Sequence, residues 1–420
     1  MKKILTTVLV LVLILGMCVY AHAEVTTVKI GVIEPLTGGS ARNGEMQMGG
    51  INYAVEYVNE TLGGIESLGG AKIELVVADS TGSAEVGASE AERLINSENV
   101  DAIIGTYNSG VAAAVVPICE KYGVPFMIIN ATSDNILEGD LHYSVRANNS
   151  NSDNAICYAN FITAINALGV ADEVENFAIV YENTDWGVGV NQDYGNALME
   201  AGYNIAISET FESGSADFSS IVNKIKNEDV DAILPAMYVS DANLFVQQLA
   251  EYDVNVPIIG AGGGMLVDDF LTTVGDYAEY ILTINGWSWD TLASKPELAR
   301  EIDARCLEEL GTVSNENIAN GWLGIMLLYE AFNNAGTTDK DAVAEALVGT
   351  DIGADDIALL FHPFQGVDFG EVRTMTNQNI YSSAVITQVI DGAWRLVFDG
   401  TTLYEDMLVY PQPTFEERGL

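Results

Sequence analysis

The sequence predicts an α/β protein built from two similar Rossmann-like lobes. One observation is a repeated motif: Val100-Asp-Ala-Ile103 returns as Val230-Asp-Ala-Ile233, and each copy leads to a Val-Pro step, at Val124 and at Val256. A second observation is that short apolar runs alternate with amphipathic stretches along most of the chain, which is typical of parallel sheets covered by helices. We interpret the repeat as one strand–loop–helix–strand unit used once in each lobe.

Each copy of this unit passes an aromatic residue, Tyr107 or Tyr238, which we expect to be exposed in the loop after a strand. In open α/β sheets, ligands bind beyond the carboxyl ends of the strands. Two lobes that face each other would therefore place these loops on opposite walls of one cleft. This arrangement predicts a clamp that closes on a small solute.

The first half of the chain follows this alternation from its first strand onward. Residues 27–33 alternate between apolar and polar side chains and end in the turn-rich Pro35-Leu-Thr-Gly-Gly39, which indicates a strand and a loop. Apolar residues recur at helical spacing over residues 47–60, which predicts the first helix. The next predicted elements are strand 71–78, helix 85–95, strand 100–104, helix 110–122 and strand 124–129.

The second half begins after the polar stretch 146–153, which we expect to cross between the lobes. The predicted alternation then resumes with strand 177–181, helix 189–201, strand 205–210, helix 218–227, strand 231–234, helix 241–252 and strand 256–259. Helices are predicted next at 296–309, 318–333 and 339–347. The strands 381–390 and 393–398 flank Asp391-Gly392, a strong hairpin signal.

The N-terminus has the features of an export signal. Two lysines precede an apolar run, Ile4 to Leu15, that is too short to span a bilayer, and Ala21-His-Ala23 suits cleavage before Glu24. A competing interpretation is a lipoprotein signal acylated at Cys18, which the bulky Met17 disfavours. We predict an exported protein, located in the periplasm or at the extracellular face of the cell membrane.

The charge balance excludes several classes of partner. With 17 basic and 60 acidic residues, the formal net charge is −43. Such a chain repels nucleic acid and anionic membrane surfaces. The same charge favours a soluble monomer, although adaptation to high salt would give a similar composition.

Cysteine and histidine are too sparse for most metal or triad chemistry. Cys119, Cys157 and Cys306 are widely spaced and odd in number, so they form no disulfide framework. Cys119 and Cys157 are expected to be small core residues, with one disulfide pairing left open. Only His142 and His362 remain after signal cleavage. We expect no bound metal and no cofactor.

Enzymatic alternatives have little support. Gly260-Ala-Gly-Gly-Gly264 follows a predicted strand, but a dinucleotide fingerprint would need glycine in place of Met265. The sequence contains neither a GxSxG nor an HExxH motif. Abundant acidic residues do not by themselves place a glycosidase pair. We therefore predict a binding protein rather than an enzyme.

Several motifs, in order along the chain, resemble the type I periplasmic binding proteins of the leucine/isoleucine/valine-binding kind, which feed ABC importers. The motifs are Ile30-Gly-Val-Ile-Glu-Pro-Leu-Thr-Gly38, Ile104-Gly-Thr-Tyr-Asn-Ser109, Val124-Pro-Phe-Met-Ile-Ile-Asn-Ala-Thr132 and Tyr181-Glu-Asn-Thr-Asp-Trp-Gly-Val-Gly189. The resemblance implies a permease partner and a hinge of three chain crossings. It implies a signal at 1–23, a first lobe of 24–148 plus 286–376, and a second lobe of 149–285 plus 377–420.

The resemblance also implies a set of ligand contacts. Ser109, at the predicted start of a helix, and Thr132 would bind a ligand carboxylate, with backbone groups of Asn130 and Ala131 nearby. Trp186 and Tyr238 would cover the ligand from the second lobe. A purely structural role, in which the two hydroxyls cap helices or turns, is the alternative.

The chain departs from the family pattern where relatives hold the ammonium of an amino acid. Gly262 stands at the expected acidic position, and Asn151 stands at a second one. Asp241 or Asp185 could replace the missing carboxylate. The ligand is therefore expected to be an amino acid held differently, or a carboxylate without an amine. A ligand-sensing module for amides or aromatic acids on the same fold is the alternative function.

Overall fold

The computed structural model describes residues 25–288, 290 and 296–420. The predicted export signal, residues 1–23, lies outside the described residues, as does Cys18. In the described part of the chain, no helix combines the length and apolarity that a bilayer-spanning segment requires.

The strands and helices alternate through most of the chain. In chain order the strands are β1 Thr27–Glu34, β2 Lys72–Asp79, β3 Ala102–Gly105, β4 Phe126–Ile128, β5 Ser144–Arg146, β6 Asn176–Glu182, β7 Asn204–Phe211, β8 Ala232–Ala236, β9 Ile259–Gly260, β10 Leu282–Asn285, β11 Asp351–Gly353, β12 Gly366–Val372, β13 Met375–Asn379, β14 Val385–Ile390 and β15 Ala393–Phe398. The α-helices are α1 Ala41–Glu56, α2 Ala84–Arg93, α3 Ser109–Tyr122, α4 Asn151–Asn166, α5 Asp185–Glu200, α6 Ser219–Asn227, α7 Val239–Glu251, α8 Asp268–Val274, α9 Glu297–Glu309, α10 Glu316–Ala335, α11 Lys340–Val348 and α12 Phe415–Arg418.

The first lobe is built on an eight-stranded sheet with the strand order β11-β12-β13-β5-β4-β3-β1-β2. The strands β13, β5, β4, β3, β1 and β2 run parallel to one another, and β12 runs antiparallel to both of its neighbours. The second lobe contains a parallel three-stranded sheet, β7-β6-β8, and a four-stranded sheet, β15-β14-β10-β9. A bridge between Ile233 and Ile258 links these two sheets. The predicted class, two Rossmann-like lobes, is confirmed.

The chain passes between the lobes three times. The first lobe takes its strands from residues 27–146 and 351–379, and the second lobe takes its strands from residues 176–285 and 385–398. The limit expected at 376/377 falls inside β13, which pairs with β5 through Gln378 and Arg146.

Most predicted elements occur within a few residues of their expected bounds, and the Asp391-Gly392 hairpin is confirmed by the antiparallel pair Ile390 and Ala393. The polar stretch 146–153 was expected only to cross between lobes, but it also contains the start of α4. Ser150 and Asp153 form a capping box there, each side chain accepting the other's backbone N–H. Because the residues that cap this helix are polar, the sequence pattern predicted a loop where the helix begins.

The helices α1 and α10 of the first lobe pack with their backbones in close contact. A Cβ atom at Gly50 would lie 2.0 Å from the carbonyl oxygen of Ile318, and one at Gly321 would lie 2.5 Å from that of Gln47. Only glycine permits this approach. It holds the middle of α1 against the N-terminal part of α10.

The three cysteines of the described chain, Cys119, Cys157 and Cys306, are buried and free. The predicted role of Cys119 and Cys157 as small core residues is therefore confirmed, and the pairing that the sequence left open does not occur among these three cysteines. Burial raises the pKa of the Cys157 thiol to about 12, as expected for an unreactive core cysteine.

Candidate ligand-binding site

A small cavity of about 50 Å³ lies between the two lobes. Strand ends and helix starts of both lobes form its walls, as the position of ligands in open α/β sheets requires. The lining residues are Asn43, Tyr107, Ser109, Asn130, Thr132, Asn154, Trp186, Tyr238, Ala261, Gly262, Gly263, Leu266, Ile284, Asn285, Gly286, Glu316 and Asn317.

Ser109 and Thr132 stand on the first-lobe wall, as the sequence predicted. Ser109 is the first residue of α3 and is buried, and its Oγ accepts the backbone N–H of Ser133 at 3.4 Å. The carbonyl of Thr132 accepts the backbone N–H of Asn151 at 2.8 Å, which ties this loop to the first turn of α4. The N-terminus of α3 adds its partial positive charge to this wall, which suits an anion.

Asn130 and Ala131 have different positions relative to the cavity. Asn130 lines the cavity, and its side-chain amide donates to Oδ1 of Asn317 at 3.4 Å. Ala131 is fully buried and does not line the cavity. Its N–H donates to the carbonyl of Thr106 at 3.1 Å, and its carbonyl accepts from Nη1 of Arg146 at 3.2 Å. The backbone groups of Ala131 therefore fix the loop and do not face the cavity.

Trp186 and Tyr238 form the aromatic wall of the second lobe. Their rings stack at 5.2 Å with an interplanar angle of 26°. The ring of Tyr238 also lies 5.7 Å from that of Tyr107 in the first lobe. The expectation that Tyr107 is exposed is wrong, since only 7% of it is accessible. Contact between the lobes buries this side chain.

The glycine run after β9 disfavours side chains, through backbone conformation at Gly262 and through close contacts at Gly263 and Gly264. Gly262 has φ +86° and ψ −131°, a conformation that other residues rarely adopt. A Cβ atom at Gly263 would lie 2.4 Å from Cη2 of Trp186, and one at Gly264 would lie 2.2 Å from the backbone nitrogen of Val239. The backbone conformation at Gly262 and the contacts at Gly263 and Gly264 together disfavour a carboxylate on this wall.

Neither Asp241 nor Asp185 lines this cavity. Both line a neighbouring cavity of about 340 Å³. Among the described residues, Tyr238 is the only one that lines both cavities. The carboxylate of Asp241 accepts the backbone N–H of Gly214 at 3.0 Å, and burial raises its pKa. Asn151 is fully buried but is also absent from the lining. The idea that Asp241 replaces the missing carboxylate is therefore not supported by its position.

Two comparisons establish the relationship of this chain to known proteins. A family model described as a periplasmic binding protein matches residues 27–392. The chain is 30% identical over 378 residues to the Leu/Ile/Val-binding protein homolog 7 of Brucella suis biovar 1, which covers 88% of this chain and 91% of the relative. The chain belongs to the periplasmic binding protein family.

Solved structures share the fold of this periplasmic binding protein at lower identity. The branched-chain amino acid transporter substrate binding protein LivJ of Streptococcus pneumoniae, in complex with isoleucine, has a TM-score of 0.74 and 22% identity over 89% of this chain and 99% of its own. A solute binding protein of an ABC transporter from R. palustris, in complex with benzoate, has a TM-score of 0.75 and 17% identity over 91% of this chain and 99% of its own.

Glu316 is a site residue that sequence reasoning missed in this periplasmic binding protein. It is the first residue of α10, whose N-cap, Asn315, accepts the backbone N–H groups of Asn317 and Ile318. The Glu316 carboxylate accepts hydrogen bonds from the N–H of Gly286 and the side chain of Asn320. Burial raises its pKa to about 7. Asn315-Glu-Asn317 before an apolar run is a recognisable helix start, but it does not indicate which cavity the helix faces.

Asn43, also missed, lies in the first turn of α1. It is fully buried, and among the described residues neither polar atom of its side chain has a hydrogen-bond partner. Because buried amides are normally paired, this side chain has one donor and one acceptor group available to an occupant of the cavity. The remaining amide residues of the walls are Asn130, Asn154, Asn285 and Asn317.

Proposed function

We propose that this periplasmic binding protein is the extracytoplasmic solute-binding component of an ABC importer of the branched-chain-amino-acid type. It captures a small amino acid or a related carboxylate by closure of its two lobes, and it presents the closed form to a membrane permease. The observation that carries this proposal is the cavity between the lobes, whose polar and aromatic walls come from both of them. Pockets with a few convergent polar groups and aromatic sides are typical of small-molecule sites.

The proposed roles follow the two walls. Ser109 and Thr132 hold the ligand carboxylate with help from the N-terminus of α3, and Asn130 contributes its amide. Trp186 and Tyr238 cover the rest of the ligand when the lobes close. The first lobe is 24–148 plus 286–379, with the limit moved from 376 to the end of β13, the second lobe is 149–285 plus 380–420, and residues 1–23 are an export signal. The mature protein is a monomer that catalyses no reaction.

Family membership supports a binding role, and the ligands bound in related structures suggest which solutes to test. The LivJ structure holds isoleucine and the R. palustris structure holds benzoate. Amino acids, aromatic acids, aliphatic acids and amides therefore form the probe set. A solute that binds only the folded state raises the melting temperature.

The test combines this thermal-shift screen with titration calorimetry on residues 24–420. We expect at least one solute to bind, and the double variant Ser109→Ala with Thr132→Ala to weaken its binding by about 30-fold, since two hydrogen bonds to a charged group are lost. The control variant, Ser220→Ala with Thr61→Ala, removes exposed hydroxyls elsewhere. Unchanged affinity in the Ser109/Thr132 variant would contradict the pocket assignment.

A further inference from the structure

We propose that Glu316 recognises a cationic nitrogen of the ligand, so that the solute of this site carries a protonated amine as well as a carboxylate. This inference rests on the proposed function and narrows its substrate class to amino acids. It also places the ammonium-binding carboxylate in the first lobe, because Gly262 of the second lobe has no side chain for this role.

The composition of the cavity wall supports this assignment. Among the described residues that line the cavity, Glu316 is the only carboxylate, and no Lys, Arg or His lines it. An ionised carboxylate in the wall of a narrow cavity without a cation is unfavourable, because it has lost much of its water and gained no counter-charge. A ligand ammonium would supply the missing partner.

The hydrogen bonds of Glu316 orient the carboxylate without satisfying it. Its partners are the N–H of Gly286 and the side chain of Asn320, both neutral. Oε1 lies so close to Gly286 that a Cβ atom there would be 2.9 Å away. A carboxylate has about four lone-pair sites, so acceptor capacity remains for N–H groups of a ligand. The side-chain amide of Asn43, which has no partner among the described residues, adds an acceptor on the same cavity.

The packing of α10 gives Glu316 a fixed position relative to the carboxylate-binding wall. α10 contacts α1 through Gly50 and Gly321, and the side chain of Asn317, next to Glu316, accepts from the Asn130 amide. Ser109, Thr132 and Glu316 therefore belong to the same lobe. A zwitterion would meet both of its charged anchors before the aromatic wall closes.

The titratable groups that face Glu316 are tyrosines. Its charge contributes to the raised pKa values of Tyr107 and Tyr194, and burial is the main cause for both. Neither phenol ionises near neutral pH. Because burial raises the pKa of Glu316 to about 7, an amine ligand should bind more tightly as the pH rises from 6 to 8, when the carboxylate becomes ionised.

The test compares matched solutes with and without the amine. Each L-amino acid is paired with its deaminated acid of the same side chain, and calorimetry measures both with the wild-type protein, Glu316→Gln and Glu330→Gln. Glu330 is the control because it lies on the same helix, is also partly buried and does not line the cavity. Melting temperatures of the variants verify that they fold.

We expect the wild-type protein to bind an amino acid and to discriminate strongly against its deaminated partner. Glu316→Gln should bind the amino acid about 30-fold or more weakly. It should also lose the rise of affinity between pH 6 and 8 and discriminate less between the amino acid and its deaminated acid. Glu330→Gln should behave like the wild type in all three respects. If the protein binds only acids that lack an amine, or if Glu316→Gln binds the amino acid as tightly as the wild type, this inference is wrong and the proposed function stands. If no probe of either series binds, the proposed function fails, and the inference fails with it.

Discussion

The rings of Tyr107 and Tyr238 contact each other across the cleft, with centroids 5.7 Å apart. Each tyrosine follows the first strand of one copy of the repeated Val-Asp-Ala-Ile motif. The internal repeat therefore places equivalent residues of the two lobes against each other. Other contacts accompany this pair, such as the hydrogen bond from Oγ of Ser133 to the carbonyl of Asp185 at 3.3 Å. The two lobes are therefore in direct contact across the cleft.

The contact between Tyr107 and Tyr238 should stabilise the closed form of the protein and thereby increase its affinity for the ligand. We expect Tyr107→Ala and Tyr238→Ala each to weaken binding, and a double-mutant cycle to give a coupling of about 1 kcal/mol, the usual range for a buried aromatic pair. Calorimetry with the best solute of the screen measures this coupling. Tyr122→Ala, an exposed tyrosine of α3, is the control. Strictly additive effects of the two substitutions would show that the rings do not stabilise the closed form.

Two features should require glycine at position 263: the close contact with the indole of Trp186 and the backbone conformation. We expect Gly263→Ala to lower the free energy of unfolding by about 1–3 kcal/mol more than Gly275→Ala. Both glycines have φ +62°, but a Cβ atom meets Trp186 at 2.4 Å in one case and open space in the other. Urea unfolding gives the difference, and tryptophan fluorescence reports displacement of the indole. Equal losses for the two variants would mean that only backbone strain matters.

Glu34 should make the stability of the protein depend on pH. It is fully buried at the end of β1, where burial raises its pKa well above the usual range although it accepts the N–H of Tyr107. The folded state therefore holds its proton more tightly than the unfolded state. The resulting stability is complete below the unfolded pKa, about 4.3, and is lost as the pH rises through the folded pKa.

Urea unfolding between pH 4.5 and 8 tests this dependence on Glu34. We expect Glu34→Gln to flatten the decline of stability with pH, because the neutral amide fills the same space. Glu74→Gln, on the exposed side of β2, is the control for removing one negative charge. An unchanged pH profile in Glu34→Gln would assign the decline to other groups.

The sequence predicted the parts of the site that follow directly from strand ends. Ser109, Thr132 and Trp186 come just after strands or at helix starts, and all three line the cavity. Ala131 has the same position along the chain, but Thr106 and Arg146 use its backbone groups. Local patterns give the location of a loop, whereas the direction of each group depends on its tertiary partners.

Glu316 and Asn43 could not be predicted in this way because their positions depend on helix packing. They lie far apart in sequence and reach one cavity only because Gly50 and Gly321 let α1 and α10 touch. Asp241, in contrast, was proposed from its position in the sequence but does not line this cavity. It follows β8 as expected for a ligand contact, yet it lines the neighbouring cavity and binds the backbone of Gly214.

The glycine run 262–264 restricts how this protein can change its specificity during evolution. Mutation to any larger residue would strain the backbone at Gly262, displace the indole at Gly263 or collide with Val239 at Gly264. Point mutations therefore cannot restore an acidic anchor to this loop without disturbing the wall that covers the ligand. We expect new preferences to arise instead at cavity-lining positions that carry side chains, such as the amides Asn43 and Asn317 of the opposite lobe.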